Sequence, residues 1–173
     1  DFTGANVNYV DIAGATLTNA NLTEARGSLA LINADLTNAN LTNADLYMSD
    51  LTSANLTSAT LTNTALYYGN LTHANLTHAN RTDANLKYAD LTNATLTNAN
   101  LRHTNLTYAY LSEANLSNAD LSNATLTNVD LSDATLTAAN LNYAYLTNAN
   151  LTNANLTDAY LYYAYLTNAN LTN

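Results

Sequence analysis

The sequence has no cysteine, so no disulfide can staple the fold, and the redox compartment is left open. Proline and tryptophan are also absent, and phenylalanine and methionine occur once each. With only 4 glycines there is no glycine-rich phosphate loop, no nucleophile–base pair stands out, and catalysis has no foothold. Charge is scarce: 10% of residues, 4 Lys+Arg against 13 Asp+Glu, for a net charge of −9. That balance lacks the basic footprint of a direct nucleic-acid or anionic-membrane binder, although it suits an acidic decoy. No apolar run reaches the roughly 18 residues that a bilayer-spanning helix needs, and no charged-then-apolar leader is visible. The chain begins at Asp1 without an initiator Met, the start expected of a processed product, a fragment or a partial chain.

What remains is Asn, Thr, Ala and Leu in a monotonous order, with 13 tyrosines. A large residue recurs at every fifth position from Leu36 to Leu171, and it is Leu everywhere except Arg81. Two residues before each of these centres stands Ala, with exceptions at Ser49, Thr64, Gly69, Thr104 and Val129. A spacing of two puts side chains on one face of an extended segment, so Ala-x-Leu reads as a short side with a small and a large residue facing in. The polar pair that follows must turn a corner. Neither the helical period nor a long alternating strand fits a strict five, whereas short sides joined by corners can wind into a closed coil.

The tyrosines give the coil length. Tyr47/Tyr67, Tyr68/Tyr88, Tyr88/Tyr108, Tyr143/Tyr163 and Tyr145/Tyr165 are each 20 apart, only Tyr145/Tyr160 are 15 apart, and no pair is 25 apart. Four pentapeptides per turn therefore fit better than three or five. At about 4.8 Å per coil the chain makes about eight to nine coils, a rod of roughly 40 Å. The amino end keeps the pattern through Phe2, Val7, Ile12, Leu17, Leu22, Gly27 and Ile32, then jumps to Leu36. One residue is missing, and a bulge, loop or distorted corner is expected near 26–33 of this single 1–173 domain.

Repeats such as Ala39-Asn40-Leu41-Thr42-Asn43 resemble the pentapeptide-repeat family, with Ala, Asp or Asn, Leu and two variable residues, over nearly the whole chain. The resemblance implies an all-β fold, a right-handed quadrilateral β-helix with Leu and Ala filling the interior. Stacked coils cover one another's cores, so stability is nearest-neighbour in character.

Function must sit on the outer columns. Thr or Ser follows each centre except at Tyr47, Tyr67, Lys87, Arg102, Asn142 and Tyr162, and corner geometry with side-chain ladders explains the pattern better than a dedicated site. Tyr68, Tyr88 and Tyr108 form one line, while Tyr143, Tyr145, Tyr160, Tyr162, Tyr163 and Tyr165 gather near the carboxyl end. Outward stacking between coils and a lateral contact surface are both open readings. Arg81 replaces an inward Leu, so it must be paired, snorkel outward or distort its coil. His73 and His78, five apart, lie on neighbouring sides with poor ligand geometry, and Asp83 and His103, 20 apart, are expected to form a hydrogen-bonded pair. No metal site or cofactor is expected. Asn-Leu-Thr begins at Asn21, Asn40, Asn55, Asn70, Asn75, Asn105, Asn150, Asn155 and Asn170, a glycosylation pattern that the repeat creates automatically and that matters only in a secreted chain.

These features lead to a non-enzymatic structural rod. It is expected to stack head to tail on copies of itself into an extracellular filament, or to form part of a longer surface repeat protein, with a protein partner along its side. The low charge, the lack of cysteine and the Asn/Thr/Tyr surface favour an extracellular or cell-surface location, without membrane insertion or direct nucleic-acid binding. Resemblance to those pentapeptide-repeat proteins that imitate DNA and bind topoisomerase implies an alternative, which would place the chain in the cytoplasm. Ice binding through threonine ladders is the third reading.

Overall fold

The structure, a computed structural model, describes residues 1–173. Why five residues make one side and one corner follows from where each backbone donor goes. In Ala34-Asp35-Leu36 the two apolar side chains are buried and Asp35 between them lies half-buried on the outer surface. Leu36 donates its N–H to the Asn55 carbonyl at 2.7 Å, Asn38 donates to Thr57 at 2.9 Å, and Asn55 donates back to Ala34 at 2.9 Å. The corner closes with the Ala39 N–H on the Leu36 carbonyl at 2.9 Å, a β-turn whose third residue, Asn38, has φ of 57°.

One donor is left over. The Thr37 N–H has no carbonyl within reach and goes to Asp35 Oδ1 at 3.0 Å, which also accepts from the Thr37 hydroxyl at 2.6 Å. Every backbone donor of the pentapeptide is then satisfied, as a close-packed coil demands. The residue preferences follow: Asn or Asp outside to cap the corner, Thr or Ser to reach it, and Asn more often than any other residue at the left-handed position, which its short polar side chain tolerates.

Parallel bridges such as Asp35↔Asn55, Asn40↔Thr60, Asp45↔Ala65 and Asp50↔Asn70 link residues 20 apart and fall into four columns along the rod. Within them no Asp follows another Asp one lap on, so like charges are kept apart. Instead amides follow acids: Asn55, Asn140 and Asn150 donate Nδ2 to Asp35, Asp120 and Asp130 at 3.3, 3.0 and 2.9 Å. Inside, the leucines from Leu31 to Leu151 are fully buried and form one continuous core with the alanines. Each contributes about 1.5–3 kcal/mol from apolar surface removed from water.

The shortened corner sits at Gly27–Ser28. Bridges spaced 20 apart at Asn6↔Arg26 become 19 apart at Thr16↔Asp35, Asn21↔Asn40 and Arg26↔Asp45, then return to 20 at Ala30↔Asp50. Here two residues in a row pair on each lap, β1 (Val10–Asp11) with β2 (Leu29–Ala30). Gly27 holds the central position at φ of 127°, and a Cβ on it would lie 2.5 Å from Asn8 Oδ1 and 2.6 Å from Asn8 N, so only glycine fits. Ser28 alone turns the corner, the buried Leu29 fills the slot usually held by Ala, and Leu31 is the next centre. The expectation that Ile32 points inward is therefore corrected. It is half-exposed at the corner, because the missing residue precedes Leu31 rather than following Ile32.

Candidate interaction surface

The bridge columns assign each tyrosine to a place on the rod. Tyr68, Tyr88 and Tyr108 are corner residues at positive φ, following the side built on Leu66, Leu86 and Leu106. Their rings stack lap on lap, with centroids 4.7 Å apart for Tyr68–Tyr88 and 5.3 Å for Tyr88–Tyr108, each pair 10° from parallel. Lys87 sets its ammonium 4.9 Å from the centre of the Tyr88 ring. Tyr47 and Tyr67 stack at 5.8 Å at the neighbouring corner position, and Tyr67 meets Tyr68 edge-on. Burial, with the Asp45 carboxylate and Tyr47 behind it, pushes the Tyr67 phenol up.

The second group occupies the corner at the other edge of the same side. Tyr143 stacks on Tyr163 at 5.4 Å, while Tyr162 meets both edge-on. A hydrogen bond with Tyr163, and then burial, raises the Tyr162 phenol. Tyr145 and Tyr165 stand on the side itself, in the column of Asp45, Ala65, Asn85 and Asn105, and stack at 4.9 Å and 3°. Tyr160 is exposed in the adjoining bridge column, one lap after Asn140, and has no stacked partner. The sequence-predicted tyrosines thus form two groups that cross one side of the rod diagonally. The Tyr47–Tyr67 stack, exposed Met48 and Tyr110, and the 90% exposed Tyr9 lie beyond the sequence-predicted residues, although the 20-residue spacing pairs the first two.

A different surface faces the other way. The column Asp35, Asn55, Asn75, Thr95, Asn115, Thr135 and Asn155 contains no aromatic or cationic residue. Five corner hydroxyls beside it are occupied: Thr37, Thr57, Thr77, Ser117 and Thr157 donate to the Oδ1 two residues back at 2.6–2.7 Å, while Thr97 and Thr137 follow threonines that offer no Oδ1.

Arg81 takes none of the exits expected of it. It is 0% exposed, its three guanidinium nitrogens have no partner, and its backbone keeps the regular ladder with a 2.8 Å bond to Asn100. Burial pulls its pKa down from the usual guanidinium range to about 9. Asp83 and His103 do not bond, because stacked corner residues share a column without their polar atoms having to meet. The ion pair that forms is Arg102–Asp120, at 3.6 Å. His73 and His78 belong to no group of three possible metal ligands. At the last lap an open depression of about 510 Å³ is lined by Leu151, Ala154, Leu156 and Leu171 with Asn153, Asn155, Thr157 and Asn173.

Comparison with known proteins agrees with this geometry. The family model for pentapeptide repeats matches in 8 copies, over residues 1–26, 30–57, 54–93, 70–102, 94–133, 104–142 and 134–173. No curated protein matches the sequence. Among solved structures, the chain is similar to HetL of Nostoc sp. strain PCC 7120, a pentapeptide repeat protein involved in heterocyst differentiation regulation. The two are 31% identical over 98% of this chain and 90% of that one, with a TM-score of 0.44. Rfr23, a pentapeptide repeat protein from Cyanothece 51142, is 38% identical over 56% of this chain and 63% of its own, with a TM-score of 0.39. A trypsin-treated form of QnrB1, a plasmid-mediated fluoroquinolone resistance protein, shares the fold at a TM-score of 0.53 and 17% identity, over 90% of this chain and 89% of its own. With its Ala-x-Leu sides, Asx-capped corners and family match along nearly its full length, this chain belongs to the pentapeptide-repeat family.

Proposed function

We propose that the chain is a non-enzymatic, four-sided, right-handed rod that works by contact, holding a protein partner along its tyrosine-bearing side. The diagonal of exposed tyrosines across one side, facing away from a side of amides and hydroxyls, carries this reading. Tyrosine is the residue type that interfaces enrich, and rings locked in stacks lose little freedom on binding. The four bridge columns support the four sides, and family resemblance supports the hand. The test is retention of partners from the source organism on immobilised protein. Changing Tyr68, Tyr108, Tyr145 and Tyr165 to Ser should abolish capture, while changing Asn55, Asn75 and Asn115 to Ser should not. Equal capture by both variants would overturn the reading.

Lengthwise growth by head-to-tail stacking is a second reading, favoured by the last lap. The amides of Leu156, Leu161 and Leu166 have no backbone acceptor, and Leu171 is half exposed. A further lap, from this chain or from the first lap of another copy, completes that ladder. Concentrated protein imaged as filaments would support it, and uniform short particles would dismiss it. An extracellular or cell-surface setting suits such a rod and is checked by fractionating the source cells. The DNA-mimic reading draws on Asp50, Asp90 and Asp130, which share one column, but Asn70 and Tyr110 interrupt them. A supercoiling assay indifferent to excess protein would remove it. Ice binding is favoured least, since many of the corner hydroxyls, Thr37 and Thr77 among them, already donate to the Oδ1 two residues back. A null thermal-hysteresis measurement would close it.

A further inference from the structure

The geometry points to the stacked tyrosine columns as sites of oxidative coupling, where a one-electron oxidant joins consecutive laps through carbon–carbon bonds between phenol rings. The inference needs no partner protein and is independent of the contact reading above.

Three observations converge on it. First, the sequence has no Cys and no Trp, and its one Met is Met48. Electrons removed from the protein therefore come from tyrosine, with no thiolate or indole to compete, while Met48 reacts by oxygen transfer at sulfur. Second, the rings are open to an oxidant: exposure is 56% at Tyr68, 46% at Tyr108, 46% at Tyr145 and 53% at Tyr165. Third, each ring already lies against the ring it would join. Tyr68–Tyr88, Tyr88–Tyr108 and Tyr145–Tyr165 stack at 4.7, 5.3 and 4.9 Å, within 10° of parallel. The parallel ladder sets this distance through the backbone one lap apart, so a pair need only rotate its side chains to react.

The chemistry balances simply. Each of two phenols gives up one electron and one proton to become a phenoxyl radical, and the radicals join through the ring carbons beside their oxygens. The two hydrogens on those carbons move to the oxygens, restoring both phenols. The two electrons and two protons reduce one hydrogen peroxide to two waters, with a haem peroxidase as the one-electron oxidant. The product is a covalent rung closing a 20-residue loop, which limits the unfolded chain as a disulfide would in a sequence that has none.

The molecule carries its own controls. Tyr9 is 90% exposed and Tyr110 is 55% exposed, yet neither stacks on another ring. Within one molecule neither has a ring stacked against it to couple with.

Trypsin cuts after Arg81, Lys87 and Arg102, which places Tyr68, Tyr88 and Tyr108 on three different peptides. Dilute folded protein treated with a peroxidase and hydrogen peroxide, then digested, should yield Tyr68–Tyr88 and Tyr88–Tyr108 cross-linked peptides lighter by two hydrogens per bond. Their yield should not change on further dilution. Tyr88→Phe, which keeps the stack without a phenol, should lose both cross-links and retain the dityrosine fluorescence of Tyr145–Tyr165. Tyr110→Phe should change nothing. The oxidised parent should unfold at a higher urea concentration than the untreated one. Absence of these cross-links, equal coupling through Tyr9 or Tyr110, or yields that fall on dilution would each overturn the inference.

Discussion

Leu29 donates its backbone N–H to the side-chain hydroxyl of Ser49, 2.9 Å away and one lap further on. Elsewhere the residue in the Leu29 position closes its corner by bonding to the centre three residues back, as Ala39 does to Leu36. The corner at Gly27–Ser28 is one residue too short for that bond, and Ser49 supplies the acceptor. Ser49→Ala restores the residue that most repeats carry, yet it is expected to destabilise the rod by about 1–3 kcal/mol, because a buried N–H loses its partner. Urea unfolding of the variant beside the parent measures this, and an unchanged midpoint would refute it.

Ala65 offers the opposite case. Asp45 Oδ1 is buried without a partner, and the residue one lap on in its column is Ala65 rather than an amide. At Asp120 and Asp130 the following Asn supplies that donor. Ala65→Asn should stabilise the protein by about 1 kcal/mol, by bonding Asp45 and capping the Tyr67 corner. A raised melting temperature is the expected reading.

Arg81→Leu should stabilise more, by about 1–4 kcal/mol, since it removes a buried charge with no counter-ion and restores the leucine layer. The pH dependence has a definite sign. Above about pH 9 the folded chain sheds a proton that the unfolded one, with its ordinary higher guanidinium pKa, keeps, so parent stability rises with pH there. The gap between variant and parent should narrow above about pH 9. Tyrosine ionisation is common to both proteins and cancels in the comparison.

Asp35 responds to acid. The Thr37 hydroxyl and amide, then the Thr18 hydroxyl, hold its carboxyl below the usual 3.8. A depressed folded value gives stability that is present above pH 3.8 and lost as pH falls through the lower folded pKa. Asp35→Asn keeps an oxygen to cap the corner but has no proton to take up. Its melting temperature should fall less steeply than that of the parent below pH 3.8.

Much of this architecture was legible in the residues, because the interior admits so few of them. Leu and Ala at fixed spacing define the buried face, and Tyr68, Tyr88 and Tyr108 report the 20-residue spacing that the bridges show. The short corner was harder. Leu31 and Ile32 are equally apolar, and only the backbone at Gly27 decides which of them turns inward. Asp83 and His103 show that sharing a column does not fix where long polar side chains end. The outward positions are the least constrained by the fold, so sequence alone left the tyrosines poised between stacking and contact. The structure shows the stacks.

Because each lap is held only by the laps beside it, the rod behaves under tension like thread on a spool. A pull on the chain ends has no cross-connections to break ahead of the outermost turn, so turns should come off singly from the ends. Each releases 20 residues, about 70 Å of extended chain. Force traces should show evenly spaced steps of that length, with a weaker one where Arg81 sits.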